Sequence, residues 1–322
     1  MKLASFLHDG DETIGFEHDG ALIRLDAAMA AAGLGEAVSD MGDFIRAGAP
    51  ALQTARRARD HVEANPGIVP HFAMDAVTMR PPVRRPYKIC GVAMNNSASD
   101  SRKISAPDHP LFFLKPASCL IGHGEAIEAR SYYGSVHPEP ELGVVIAKDC
   151  RDVKAEDADD VIFGYTIFND MTGNSMRAED MVHYYALYPR KDNPDEVERR
   201  EQHLSYTARY KGSDGFGPMG PYLVTKDDVA DPHALEVKCW HKGELIAEDS
   251  TAYYTYSVQQ VIAFITRYHT LWAGDVISMG TAFRPSAGGK RSLHTANITA
   301  LGGPVAVEIS GLGRLENPVR NV

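Results

Sequence analysis

The sequence predicts an α+β protein that is mostly β, with a small N-terminal α/β domain over residues 1–80 and a larger domain over 81–322. Three observations lead there. Strand-length runs rich in valine, isoleucine and aromatic residues outnumber helical patterns. Those strands do not alternate with helices, as βαβ units would. The proline-rich basic stretch "MRPPVRRP", residues 79–86, breaks the pattern and reads as a linker.

Taken in order, residues 1–25 read as short strands with turns at Asp9-Gly10 and Asp19-Gly20, a hairpin signal. Residues 27–32 and 51–62 read as helices; the second follows Pro50 and stops near Asn65-Pro66-Gly67. Beyond the linker, strands are expected at 87–92, 111–115, 142–147, 163–169, 222–225, 236–241, 276–279 and 305–309. One helix stands out at 258–268, with Val261, Ile262, Ile265 and Tyr268 on one face. Residues 179–210 are densely charged but contain "VHYYALY". They read as a solvated helix and loop, or as a mobile element covering a site.

The net charge of −10 makes nucleic acid and anionic membranes poor partners. No apolar run approaches the roughly 18–20 residues of a membrane span. The opening "MKLASFLHDGDE" has no signal-peptide core, and four scattered cysteines show no C-x-x-C. A reduced, cytoplasmic protein is expected.

The segment "HPEPELGVVIAK", residues 137–148, places Glu139 and Glu141 at the mouth of an apolar strand. Strand side chains alternate, so both carboxylates share a face. Pro140 suits a strand's first residues. Asp170 ends another apolar run in "GYTIFNDMT". An E-x-E at a strand entrance is ordinarily a solvated edge, and an acid after a strand is ordinarily a turn residue. Together, three carboxylates without His or Cys suit a hard divalent ion: Mg²⁺, Mn²⁺ or Ca²⁺.

The segments "FFLKPASCLIGHGEAIE", "PEPELGVVIAKD", "GYTIFNDMT", "YKGSDGFGPMGPYLVT", "GDVISMGT" and "VAVEISGLGRLENPV" occur in this order. Together they resemble the fumarylacetoacetate hydrolase family over the whole larger domain. The resemblance implies a mixed β-roll catalytic domain, a homodimer, and one divalent cation held by Glu139, Glu141 and Asp170. It implies action on a small 2-oxo or 2,4-dioxo acid: C–C hydrolysis, decarboxylation, tautomerisation, or dehydration of 2-oxo-3-deoxy sugar acids. Lys211 matches the family lysine at the substrate, Asp214 falls in the same motif beside it, and Thr281 matches the residue that hydrogen-bonds a substrate carboxylate.

The sequence departs from the family at the lid. Aligned on Asn95, the family's tyrosine, histidine and glutamate positions hold Asn96, Ser99 and Arg102, so the His/Glu dyad that activates water is missing. Asp108 or His109, on the same stretch, could supply the base. Arg102, Lys103 and Arg177 could bind a second anionic end of the substrate. His137 could support the glutamates. The expected function is metal-dependent cleavage of a C–C bond in a 2,4-dioxo acid, in aromatic or sugar-acid catabolism. The alternatives are a lyase or isomerase on the same site (sugar-acid dehydratase, oxaloacetate decarboxylase or tautomerase) and a non-catalytic metal- or ligand-binding member.

Overall fold

The computed structural model describes residues 1–97, 100, 103–281 and 292–322. The chain opens as an antiparallel meander of Lys2–His8, Asp11–His18 and Ala21–Arg24. Both expected turns form. Asp9 and Gly10 have φ of 52° and 88°, and Asp19 and Gly20 have 50° and 81°. Two successive positive φ values give the turn whose twist matches that of the flanking strands. Helices Leu25–Ala31, Met41–Arg46 and Gly48–Ala64 follow, the first overlapping the expected 27–32 and the third enclosing the expected 51–62. The short middle helix was not anticipated; Asp40 caps it by accepting from the Asp43 N–H at 3.0 Å.

The central sheet runs in the order Ala21–Arg24, Asp11–His18, Lys2–His8, Gly217–Thr225, Ile162–Asn169, Pro140–Ile146, Val276–Ser278, Ile89–Ala93 and Leu111–Lys115. It is antiparallel along this order except where Val276–Ser278 lies parallel to Ile89–Ala93. Lys2–His8 pairs directly with Gly217–Thr225, Lys2 opposite Val224 and Leu3 opposite Leu223. Residues 1–24 therefore share one hydrogen-bonded sheet with the strands of the larger region.

Side-chain alternation splits this sheet between two cores. On one face Leu3, Phe16, Val145 and Phe168 pack with Phe44, Ile45 and Ala58 of the N-terminal helices. On the other, Phe6, Leu142, Val144 and Ile167 pack with a second sheet and a helix. That sheet runs Glu244–Ser250, Glu236–His241, Val305–Ile309, Gly313–Asn317. The helix is Val258–Tyr268, at its expected bounds. Pro140–Ile146 is buried at every position, which is why its sequence from Leu142 onward is continuously apolar rather than alternating. Among the described residues, no helix is long and apolar enough to cross a membrane.

Residues 179–210 differ from the expected helix and loop. Met181–Pro189 and Val197–Ser205 form an antiparallel hairpin with an unbroken register from Met181–Ser205 to Pro189–Val197. The helix Thr207–Gly212 follows. The aromatic strand has the β-propensity; the charged strand gains its structure from cross-strand pairing, which no local pattern announces.

Candidate metal centre

The register of two neighbouring strands builds the site. Pro140 lies opposite Asn169, and Glu141 opposite Phe168. Glu139 therefore meets Asp170 across the strand ends. The Asp170 N–H donates to the Glu139 carbonyl at 2.8 Å, and the Glu139 N–H donates to Asn169 Oδ1 at 3.0 Å. Glu139, Glu141 and Asp170 each present a carboxylate oxygen within 4.8 Å of the others. Glu141 and Asp170 are buried.

Each carboxylate is held by a different set of donors. Glu141 Oε2 accepts from Ser278 Oγ at 2.5 Å and from the Gly280 N–H at 2.8 Å. Glu139 Oε1 accepts from Thr172 Oγ1 at 2.8 Å and lies 3.2 Å from His137 Nε2. His137 Nδ1 faces the Asn174 side-chain amide at 3.0 Å. With that amide donating, the ring proton sits on Nε2 and points at Glu139. Lys211 Nζ bridges the pair, donating to Glu139 Oε2 at 2.8 Å and to Asp170 Oδ2 at 2.5 Å. From behind, Lys115 Nζ donates to Asp170 Oδ1 at 2.5 Å, to the Phe216 carbonyl at 3.1 Å and to the Lys211 carbonyl.

The electrostatics follow from this crowding. Burial pushes the Glu141 carboxyl well above the usual carboxylate range, and the charges of Asp170 and Glu139 push it further. Burial also acts to raise Glu139, but Lys211 and His137 outweigh it and hold that carboxyl well below the usual range. For Lys211 burial works against the charge, yet Asp170, Glu139 and Glu141 overcome it and raise the ammonium above its ordinary value. Three carboxylates in an oxygen-only set fit a hard divalent cation, whose charge would offset the repulsion that raises Glu141.

Glu139 and Glu141 open into a cavity of about 300 Å³ whose walls also include Lys211, Arg177, Thr281 and His294, with Asp170 behind them. Lys211 comes from the helix Thr207–Gly212 and Arg177 from the helix Asn174–Glu179. Thr281, buried, follows the strand Val276–Ser278. These positions bring Lys211, Arg177 and Thr281 to the acids. Lys211 is oriented by Glu139 and Asp170, whereas Asp214 is exposed.

The structure does not bring His109 to the cavity. It is exposed and stacks on Phe264 of the helix Val258–Tyr268, with ring centroids 5.0 Å apart. Arg102 and Ser99 lie outside the described residues. Asn96, at the family's tyrosine position, is buried and donates its amide to Asp249 Oδ2 at 2.8 Å. Its neighbour Asn95 accepts from the Tyr256 N–H and donates to the Met279 carbonyl. This pair fastens the end of the strand Ile89–Ala93 to the strand Glu244–Ser250 and to residues 256 and 279.

Two residues escaped the sequence reading. Lys115 ends "FFLK", where a lysine ordinarily snorkels to solvent. His294, in the single helical turn Leu293–Thr295, reaches the cavity with its ring 4.8 Å from that of His137. Nothing local in the sequence marks either one.

Comparison with known proteins agrees with this architecture. The family model "fumarylacetoacetate (FAA) hydrolase C-terminal" matches residues 88–320. A protein of Archaeoglobus fulgidus with no activity in its name is 32% identical over 245 residues, covering 76% of this chain and 82% of its own length. A mitochondrial oxaloacetate tautomerase of Xenopus laevis is 30% identical over 280 residues, covering 87% of this chain and 78% of its own. Among solved structures, maleylpyruvate hydrolase from Sphingobium, in complex with manganese(II) and pyruvate, superposes with a TM-score of 0.69. It is 26% identical and is covered over 99% of its length, against 100% of this chain. The chain belongs to the fumarylacetoacetate hydrolase family.

Proposed function

We propose that this chain is a divalent-cation-dependent enzyme that interconverts the enol and keto forms of a small 2-oxo dicarboxylic acid of the oxaloacetate type. The observation that carries this reading is the cavity wall itself. An oxygen-only carboxylate trio stands beside a buried ammonium, Lys211, with Arg177 on the same cavity. A bound Mg²⁺ or Mn²⁺ supplies Lewis acidity toward the oxygens of a 2-oxo acid. Glu139, Glu141 and Asp170 would hold it. Lys211 places a fixed positive charge where negative charge develops on the enol oxygen. Arg177, with its planar fork of donors, suits the distal carboxylate, and Thr281 suits the near one. We assign the proton transfer at the carbon beside the 2-oxo group to His294, an imidazole on the cavity wall. The naming of the Xenopus relative supports this choice, as does the absence of the family's His/Glu dyad at positions 99 and 102.

The second reading is hydrolysis of a C–C bond in an acylpyruvate. It is favoured by the full-length match to maleylpyruvate hydrolase. It requires a water-activating base, and His109 in the position described cannot touch a substrate in the cavity.

Chelator-stripped protein, reloaded with Mn²⁺ or Mg²⁺, separates the readings. The enol absorbance of oxaloacetate is followed beside that of an acylpyruvate, with products identified by mass and Glu141→Ala subtracting the background. Faster loss of the oxaloacetate enol signal with the acid intact is the expected result. Release of pyruvate and CO₂ identifies a decarboxylase, and cleavage of the acylpyruvate identifies a hydrolase. Metal-dependent turnover of neither class overturns the proposal.

A further inference from the structure

Between the helices that carry Arg177 and Lys211 to the cavity, the exposed hairpin bears a second group of metal-ligating side chains, of different chemistry. His183 lies directly opposite His203 across the two strands. Glu201, two residues before His203, shares that face. The two imidazoles stack with centroids 4.0 Å apart and planes 11° from parallel. Glu201 Oε1 is in hydrogen-bond contact with His183 Nε2. One ligand atom from each of the three residues lies within 4.8 Å of the other two. The His183 and Glu201 side chains are each 54% exposed, so an ion reaches them without opening the fold.

We infer that His183, Glu201 and His203 form a surface site for a borderline transition-metal ion, with Zn²⁺ the best match. Two imidazole nitrogens and one carboxylate are a three-ligand set that zinc accepts, leaving a fourth position for water. The same set suits Mg²⁺ poorly, because nitrogen replaces the hard oxygens that ion prefers. The chain thus presents two sites of opposite character, an interior one of oxygens and an exterior one dominated by nitrogen. Backbone register fixes two of the three ligands before any ion arrives. Side-chain rotation alone must then shrink the separations to those of ligands about 2.0–2.2 Å from a common ion. An isolated two-stranded hairpin is only marginally stable, so an ion joining its strands would fasten the element most exposed to solvent.

The test is zinc uptake by the full-length protein in equilibrium dialysis. Glu141→Ala removes a ligand of the interior site, so that zinc still bound reports the hairpin. Glu141→Gln repeats this should the alanine variant fold poorly. One zinc per chain is expected to remain. Adding His203→Ala or His183→Ala should weaken it by at least about tenfold, since even outer-shell partners of a metal are worth about 10- to 100-fold. The wild-type background must show the same difference of one zinc. Zinc should also slow tryptic cleavage at Arg190, Lys191, Arg199 and Arg200, and lose that effect in the His203→Ala variant. Equal zinc uptake with and without the two histidines overturns the inference, as does cleavage that zinc leaves unchanged. Neither outcome depends on the reaction proposed for the cavity.

Discussion

At Lys115 the side chain is wholly enclosed, and its three acceptors come from residues 55 to 101 positions away in the chain. Replacing it with methionine keeps the volume but removes the ammonium that Asp170 Oδ1 and the Lys211 carbonyl face, leaving Asp170 its ion pair with Lys211. Breaking a buried ion pair this way costs about 3–5 kcal/mol. Lys115→Met should therefore melt well below the wild type in thermal denaturation. Added Mn²⁺ should restore more of the lost melting temperature than it adds to the wild type, because a cation replaces the missing positive charge. An unchanged melting temperature would sink this account. For Arg177→Ala the expectation is a KM raised about tenfold with kcat much less affected, read from steady-state kinetics; this is the signature of lost substrate binding. Legibility at this scale follows the range of the interaction. Glu139 and Glu141 could be placed on one face because a strand repeats every two residues. Lys115 could not, because its partners are brought in by tertiary structure.

Among the elements, the helix Val258–Tyr268 shows how local signals decide a boundary. Ser257 Oγ accepts from the Gln260 N–H at 3.2 Å while Gln260 Oε1 accepts from the Ser257 N–H at 2.9 Å. This reciprocal cap satisfies two donors that the first turn would otherwise leave open. Ser257→Ala should cost about 1 kcal/mol in denaturant unfolding, with the unfolding slope unchanged. Its apolar stripe was readable in sequence through Val261, Ile262 and Ile265, which are buried, though Tyr268, expected on the same face, is exposed; the Asp-Gly turns were readable as well. The strand Glu244–Ser250 was not, since "ELIAEDS" has only three apolar residues in one run and a register shift opposite Cys239–Trp240 interrupts its alternation. The hairpin Met181–Pro189 with Val197–Ser205 was misread for the related reason that it has no buried face to impose a two-residue apolar rhythm.

For the molecule as a whole, the thiols predict the response to alkali. Burial pushes the Cys90 thiol up to about 12, with the Asp275 charge adding to it. Burial likewise raises Cys239, and the phenols of Tyr165 and Tyr254. Above the ordinary thiol value the unfolded chain releases protons that the folded chain keeps. The folded state then binds more protons, so stability falls as pH rises from about 9 toward 12, by up to about 1.4 kcal/mol per pH unit for each such group. Melting temperatures should decline across that window, and the stability cost of Cys90→Ala measured at pH 8 should shrink by pH 11. A cost constant with pH would show that the thiol does not titrate differently on unfolding. The order of strands in the central sheet has a consequence for biosynthesis. Lys2 and Leu3 wait for Val224 and Leu223, which a ribosome adding about 5–20 residues per second delivers roughly 10–40 seconds later. Thr78–Arg80 covers Ser5, Phe6 and Leu7 of the same edge much earlier. A nascent chain stalled before residue 217 would therefore expose only the first two rungs of that edge, leaving a neighbouring polypeptide little to pair with.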